Sequence, residues 1–115
     1  MREIEFRGKP IEDYGDTKWF YGNAVINYED KLAYIEASGQ GFVPVEWETV
    51  GQYTGLKDKN GKKIYEDDLI QRDNGEIRKV YWHEAFAEWV ATDFGDGLHM
   101  FAHESEVIGN THDNK

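Results

Sequence analysis

Apolar and polar residues alternate with a period of two through most of this protein, and that alternation predicts strands. In residues 3–7, Ile4 and Phe6 fall on one face and Glu3, Glu5 and Arg7 on the other. Residues 18–27 (KWFYGNAVIN) combine aromatic and β-branched side chains, which suit a pleated, half-buried surface. Gly22 inside that run predicts a bulge or a close backbone approach. Further strands are predicted over 31–36, 43–53, 62–65, 69–72 and 77–82, the last with Ile77, Lys79 and Tyr81 on one face. Pro44 belongs at a strand start or on a sheet edge, because proline has no N–H for the ladder. Residues 84–91 (EAFAEWVA) place Phe86, Trp89 and Val90 at helical spacing, but the run is short, lacks an N-cap and lies between strands, so it too is read as a strand. Residues 98–103 and 105–108 supply the last two strands, and a polar tail follows from 110.

The punctuation between these runs is clear. Residues 8–16, with Pro10 and Gly15, form a loop, and 28–30, 38–41 (SGQG), 73–75 and 94–97 (FGDG) form turns. Asn60-Gly61 predicts a two-residue hairpin turn with φ > 0 at both positions. Glu66-Asp67-Asp68 predicts a corner in which acid side chains bond backbone N–H groups. Many short strands with evenly spaced turns give a mainly β protein, a small β-roll or barrel. Its C-terminal half reads as an SH3-like roll and its N-terminal half as an antiparallel β extension. The expected division is 1–56, 57–108 and a tail over 109–115, or one continuous domain.

Composition narrows the setting. Over 115 residues, 39% apolar and with seventeen aromatics, the protein has enough large side groups for a core despite a net charge of −10. The acid excess disfavours general affinity for nucleic acid or anionic membrane. Without cysteine there is neither a disulfide nor a thiolate metal site. No apolar run approaches a membrane span and the N-terminus has no signal-like apolar stretch, so a soluble cytoplasmic protein is expected.

Four stretches carry a resemblance: MREIEFRGK, WFYGNAVI, ETVGQYTGLKDKNGKKIYEDDLI and EVIGN. In this order they resemble the YopX family, small proteins encoded by phages and prophages of Gram-positive bacteria, over nearly the whole sequence. The resemblance implies a mostly β protein with an SH3-type roll in its C-terminal half, in a bacterial host cell. It brings no activity, cofactor or catalytic residue. The family usually reads EGD where this sequence has Glu66-Asp67-Asp68, so Asp67 stands where a glycine is usual and must either loosen the turn or adopt a left-handed conformation itself. The family's segment after VIGN commonly runs further than THDNK.

Candidate chemistry is thin. His83-Glu84 opens like a zinc-protease helix, but the second histidine that motif needs four residues on is Ala87. His99 and His103 could share a zinc on a helix, but on the strand read here they would stand roughly 13 Å apart, and a metal would need a cross-strand partner such as His83. Asp58-Lys59-Asn60-Gly61 departs from a calcium loop, with glycine in the wrong place and Lys62 at a ligand position. Glu66, Asp67 and Asp68 read as a capped, solvated corner before an acid–base or magnesium site. No nucleophile–base pair is present, so no metal, no cofactor and no enzymatic activity are expected.

Two features point to partners. Lys57, Lys59, Lys62 and Lys63 make a hairpin tip with net charge +3 around Asp58, which Arg72, Arg78 and Lys79 can extend as a positive edge. Trp82 and Trp89, with Tyr81, are aromatics available for stacking. The expected role is docking on a protein partner or self-association, through these residues or other exposed aromatics. A small β-barrel binding single-stranded or duplex nucleic acid, and an acidic mimic of DNA, are the alternatives.

Overall fold

Alternation is strictest in residues 20–37, and these residues build the centre of the first sheet. A computed structural model describes residues 4–85, 88–91 and 97–112. The protein divides into two units, Met1–Tyr53 and Thr54–Lys115.

In the first unit β1 (Phe6–Gly8), β2 (Phe20–Asn27), β3 (Leu32–Ala37), β4 (Gly41–Val45) and the start of β5 (Gly51–Lys57) lie in the order β4-β3-β2-β1-β5, and the paired strands are antiparallel. Alternate residues of β3 point inward (Ala33, Ile35, Ala37) and join Phe20, Val43 and Val45 in one buried cluster. Phe6, Ala24, Ile26, Trp47 and Val50 pack against it. The sheet then closes on itself. Beyond β1 the backbone reaches the far side of β4: Glu46 N–H donates to Lys9 O (2.8 Å), Ile11 N–H donates to Pro44 O (3.1 Å), and Pro10 bridges Val45. Pro44 therefore sits on the last strand of the order, where its missing N–H is harmless.

Gly22 answers its sequence signal by close approach. It pairs with Ala37, and a Cβ there would land on the carbonyl oxygen of Glu36.

Two expectations change in this unit. The strand expected over 43–53 is two strands, split by a 3₁₀ turn at Trp47–Thr49. Thr49 fixes that break: its Oγ1 donates to Glu46 O (2.7 Å) and accepts Lys9 N–H (2.9 Å). Arg7, placed by alternation with Glu3 and Glu5 on the face opposite Ile4 and Phe6, is 6% exposed, while Ile4 is exposed. The Arg7 guanidinium lies 4.4 Å from the centre of the Trp19 ring, and this stacking keeps a planar cation favourable under cover.

The second unit holds the end of β5, its neighbour β6 (Lys63–Tyr65), a three-stranded sheet of β7 (Asp68–Gln71), β8 (Ile77–Lys79) and β11 (Glu106–Asn110) in the order β11-β7-β8, and the pair β9 (Tyr81–His83) and β10 (Glu88–Val90). Ile64, Ile70, Val80, Ala91, Leu98, Phe101, Ala102 and Val107 form its core. The strand expected over 77–82 is broken at Val80, which exchanges backbone bonds with the acidic corner: Val80 O accepts Asp67 N–H and Val80 N–H donates to Asp68 O, both at 2.9 Å.

The strand expected over 98–103 is instead two 3₁₀ turns, Leu98–Met100 and Ala102–Glu104. The buried residues Leu98, Phe101 and Ala102 stand at i, i+3, i+4, while His99, Met100 and His103 are exposed. That is helical spacing, and it outweighs the local apolar count. The closing strand runs on to the buried Asn110, past the expected stop at residue 108, so 109 and 110 belong to the fold and not to a tail. Phe86, most of the turn expected over 94–97 and the last three residues lie outside the described residues.

Asp67 takes the left-handed alternative, with φ 71. Its N–H and C=O are both engaged, the latter by Thr111 N–H at 3.0 Å. Its carboxylate meets His112 Nε2 at 3.0 Å and lies 3.9 Å from Lys79 Nζ. Short acidic side groups tolerate this conformation and β-branched ones do not. Asp67→Val is thus expected to cost about 2 kcal/mol, whereas Asp67→Gly stays within about 1 kcal/mol of the parent because backbone relief offsets the lost pair. Urea titrations of the two variants check the contrast.

Candidate interaction surface

Both phases of alternation in β2 and β3 carry large side groups, so a closed sheet must leave one set outside. The outward set is Tyr21, Asn23, Val25 and Asn27 on β2, Leu32, Tyr34 and Glu36 on β3, and Phe42 on β4. Register aligns them in rows: Val25 beside Tyr34 beside Pro44, Glu36 between Asn23 and Phe42, and Asn27 beside Leu32. Phe42 is 60% exposed and Val25 52%. Strand and residue spacings give this grid an extent of the order of 300 Å². Glu36 is the single charge on it, and its Oε1 accepts from Asn23 Nδ2 at 3.4 Å. A surface low in charge and rich in aromatics has the composition of an interface centre.

The sequence-derived candidates lie in the second unit. Trp82 and Trp89 are directly paired across β9 and β10, with ring centres 5.1 Å apart and planes at 72°. Trp82 is 41% exposed, while Trp89 is half-buried against the core. Edge-to-face contact and burial assign Trp89 chiefly to packing.

The lysines are held by a loop that differs from the expected one. Gly61 has φ 80 and Asn60 does not share the left-handed geometry, so the connection is a three-residue loop with one left-handed glycine. Asp58 decides this. Its Oδ1 accepts Asn60 N–H (2.8 Å) and Lys62 N–H (2.9 Å), and its Oδ2 accepts Val107 N–H (3.0 Å) from β11. Burial alone raises the carboxyl's pKa, but these three N–H groups and the Lys62 charge more than reverse that, so it titrates below its ordinary 3.8.

Lys57 and Lys62 are exposed, Lys63 is half-buried, and Lys59 Nζ lies 3.8 Å from Glu106. The positive edge expected beyond them is matched by acids. Arg72 lies near Glu76 and Glu104, Arg78 bonds Glu76, and Lys79 faces Asp67. The acidic corner is structural as well: Asp68 is 1% exposed and its Oδ2 accepts Tyr65 N–H at 2.7 Å. Among the described residues no three His, Asp or Glu side groups converge on a point where a cation would sit. Nor do they include a helix long and apolar enough to cross a membrane.

Tyr21, Val25, Leu32, Tyr34 and Phe42 carry no individual signal in the sequence. Their shared signal is the apolar content of both strand phases, which shows that an exposed set exists without showing which set it is.

The family model for YopX protein matches residues 13–115. The protein belongs to the YopX family. No curated protein matches it. In this YopX-family member the match takes in β2 through β11, and with them the outward grid, the Asp58 loop and the acidic corner.

Proposed function

We propose that this YopX-family protein is a phage or prophage accessory protein of the bacterial cytoplasm, without enzymatic activity, that works by docking on a protein partner through the outer face of β2-β3-β4. The observation that carries this reading is the aromatic grid, with Glu36 as its single charge, on a protein of net charge −10. Aromatic side groups supply most of the anchoring energy where proteins meet. The acid excess works against two copies stacking the same face, so a different protein is the favoured occupant over self-association. The pairing of Arg72, Arg78 and Lys79 with acids leaves the lysine tip isolated, which weighs against a nucleic-acid role.

Val25→Glu with Phe42→Glu tests the face. Both residues are exposed, so stability is expected to change by no more than about 0.5 kcal/mol per site. A partner recovered from prophage-bearing cells, then purified and titrated by calorimetry, should bind the parent and lose at least about tenfold in affinity with the double variant, a loss of about 1.4 kcal/mol. Equal binding by both, or no saturable partner for the parent, overturns the reading.

A further inference from the structure

Two Asn-Gly pairs occupy loops of the same shape, and only one has its turn bonded to backbone outside the hairpin. In both, the residue before the turn pairs with the residue after it. Asp58 N–H donates to Lys62 O (2.8 Å) and Arg72 N–H donates to Glu76 O (2.9 Å). In both, the glycine is left-handed, Gly61 at φ 80 and Gly75 at φ 86. Asn-Gly is prone to cyclise because glycine, lacking Cβ, lets its backbone nitrogen approach the asparagine side group.

We propose that Asn74 is a site of spontaneous deamidation, and that the Asp58 clasp shields Asn60 from the same reaction. The step needs only water. The Gly75 amide nitrogen loses its proton to solvent and bonds to Asn74 Cγ, the bond from Cγ to Nδ2 breaks, and ammonia leaves. Water then opens the cyclic imide at either carbonyl, giving aspartate or isoaspartate. Nothing is oxidised or reduced.

Asn74 is prepared for the attack. Its Oδ1 accepts Glu76 N–H at 2.9 Å, which folds the carboxamide back over Gly75. That donor also polarises the carbonyl and stabilises the oxyanion that forms on Cγ. Ring closure requires Gly75 N–H to leave Arg72 O, which it meets at 2.9 Å. The turn itself is less restrained: residues 73–75 are exposed and, among the described residues, bond to nothing outside their hairpin, the outside contacts of Arg72 with Glu104 (3.4 Å) and the Phe101 ring being made by its side group alone.

Asn60 lacks both advantages. Its carboxamide has no hydrogen-bond partner among the described residues. Its loop is bolted to the segment before and within β11 by Lys59 N–H on Ser105 O (2.9 Å) and by Val107 N–H on Asp58. Segments tied down by buried bonds open less often than segments without them.

Peptide-resolved mass spectrometry over a time course in mildly alkaline buffer tests this, with a synthetic peptide of residues 71–77 as the unrestrained control. The folded protein should accumulate acid and isoaspartate at Asn74 at least several-fold faster than at Asn60. Asn74→Gln should abolish the main product, and Asp58→Asn should bring Asn60 up toward the Asn74 rate. Conversion at Asn60 equal to or faster than at Asn74 in the parent overturns the proposal. So does an unchanged Asn74 after the peptide has fully reacted. The parent comparison decides the matter even if Asp58→Asn does not fold.

Discussion

Replacing Asp58 by alanine is expected to lower the stability of the second unit by about 3 kcal/mol, on the order of 15 °C in melting temperature. One carboxylate accepts three backbone N–H groups, and the three are unequal. Those of Asn60 and Lys62 lie at an exposed tip where water can replace the lost acceptor. That of Val107 is buried, 49 residues away in sequence, and is left without its acceptor once Oδ2 is gone. Most of the cost therefore arises at β11, and hydrogen exchange should quicken at Val107 more than at Asn60. The acid dependence carries the same signature. A carboxyl whose folded pKa lies below the unfolded 3.8 stabilises fully above that value and loses its contribution as pH falls through the folded value. The parent should lose stability over that acid window and Asp58→Asn should be flatter through it, with lower stability at neutral pH. Denaturant titrations at neutral and acid pH measure both. Equal acid slopes in parent and variant would remove Asp58 from the account.

Gly22→Ala is expected to cost the first unit about 3 kcal/mol. The methyl group would meet the Glu36 carbonyl oxygen, which is backbone in the centre of the sheet and cannot turn away as a side group can. Relief requires β2 and β3 to separate at the Gly22–Ala37 pair, which disturbs the layer holding Phe20 and Ala37. Asn23→Ala, one residue on and facing outward, should change stability by no more than about 0.5 kcal/mol. Thermal unfolding of the two variants side by side separates steric clash from ordinary strand tolerance.

Gly22 is also a residue whose role is legible in the sequence, because a glycine interrupting an otherwise strand-forming run signals a bulge or a close approach. Pro44 is placed on an edge by its missing donor. Strand identity in the first unit follows from period-two patterning that a closed sheet rewards. The second unit is harder to read, since its short strands leave room for side groups to redirect the backbone. Asp58 takes the N–H groups that a two-residue turn would leave to solvent, and so converts Asn60-Gly61 into a longer loop. Leu98, Phe101 and Ala102 carry the helical spacing of the 3₁₀ turns, but beside strands a run of six with four apolar residues reads either way. Arg7 defeats the alternation rule because that rule takes no account of an aromatic ring arriving from another segment to cover a cation. The outward grid is hidden for the opposite reason: both phases of β2 and β3 contain large apolar residues, Tyr21, Val25, Leu32 and Tyr34 in one and Phe20, Ile26 and Ile35 in the other, and only the closure of the sheet shows that the first set is left outside.

That closure also limits how the protein can assemble. Lys9–Ile11 occupy the flank of β4 that would otherwise invite another strand, and Pro44 removes a donor from it. β-Augmentation is therefore blocked on that side, and fibril growth by templated strand stacking has no foothold there. Any complex formed by this face is built from side-group shape and not from shared ladders, and exchanging a few surface residues would suffice to retarget it.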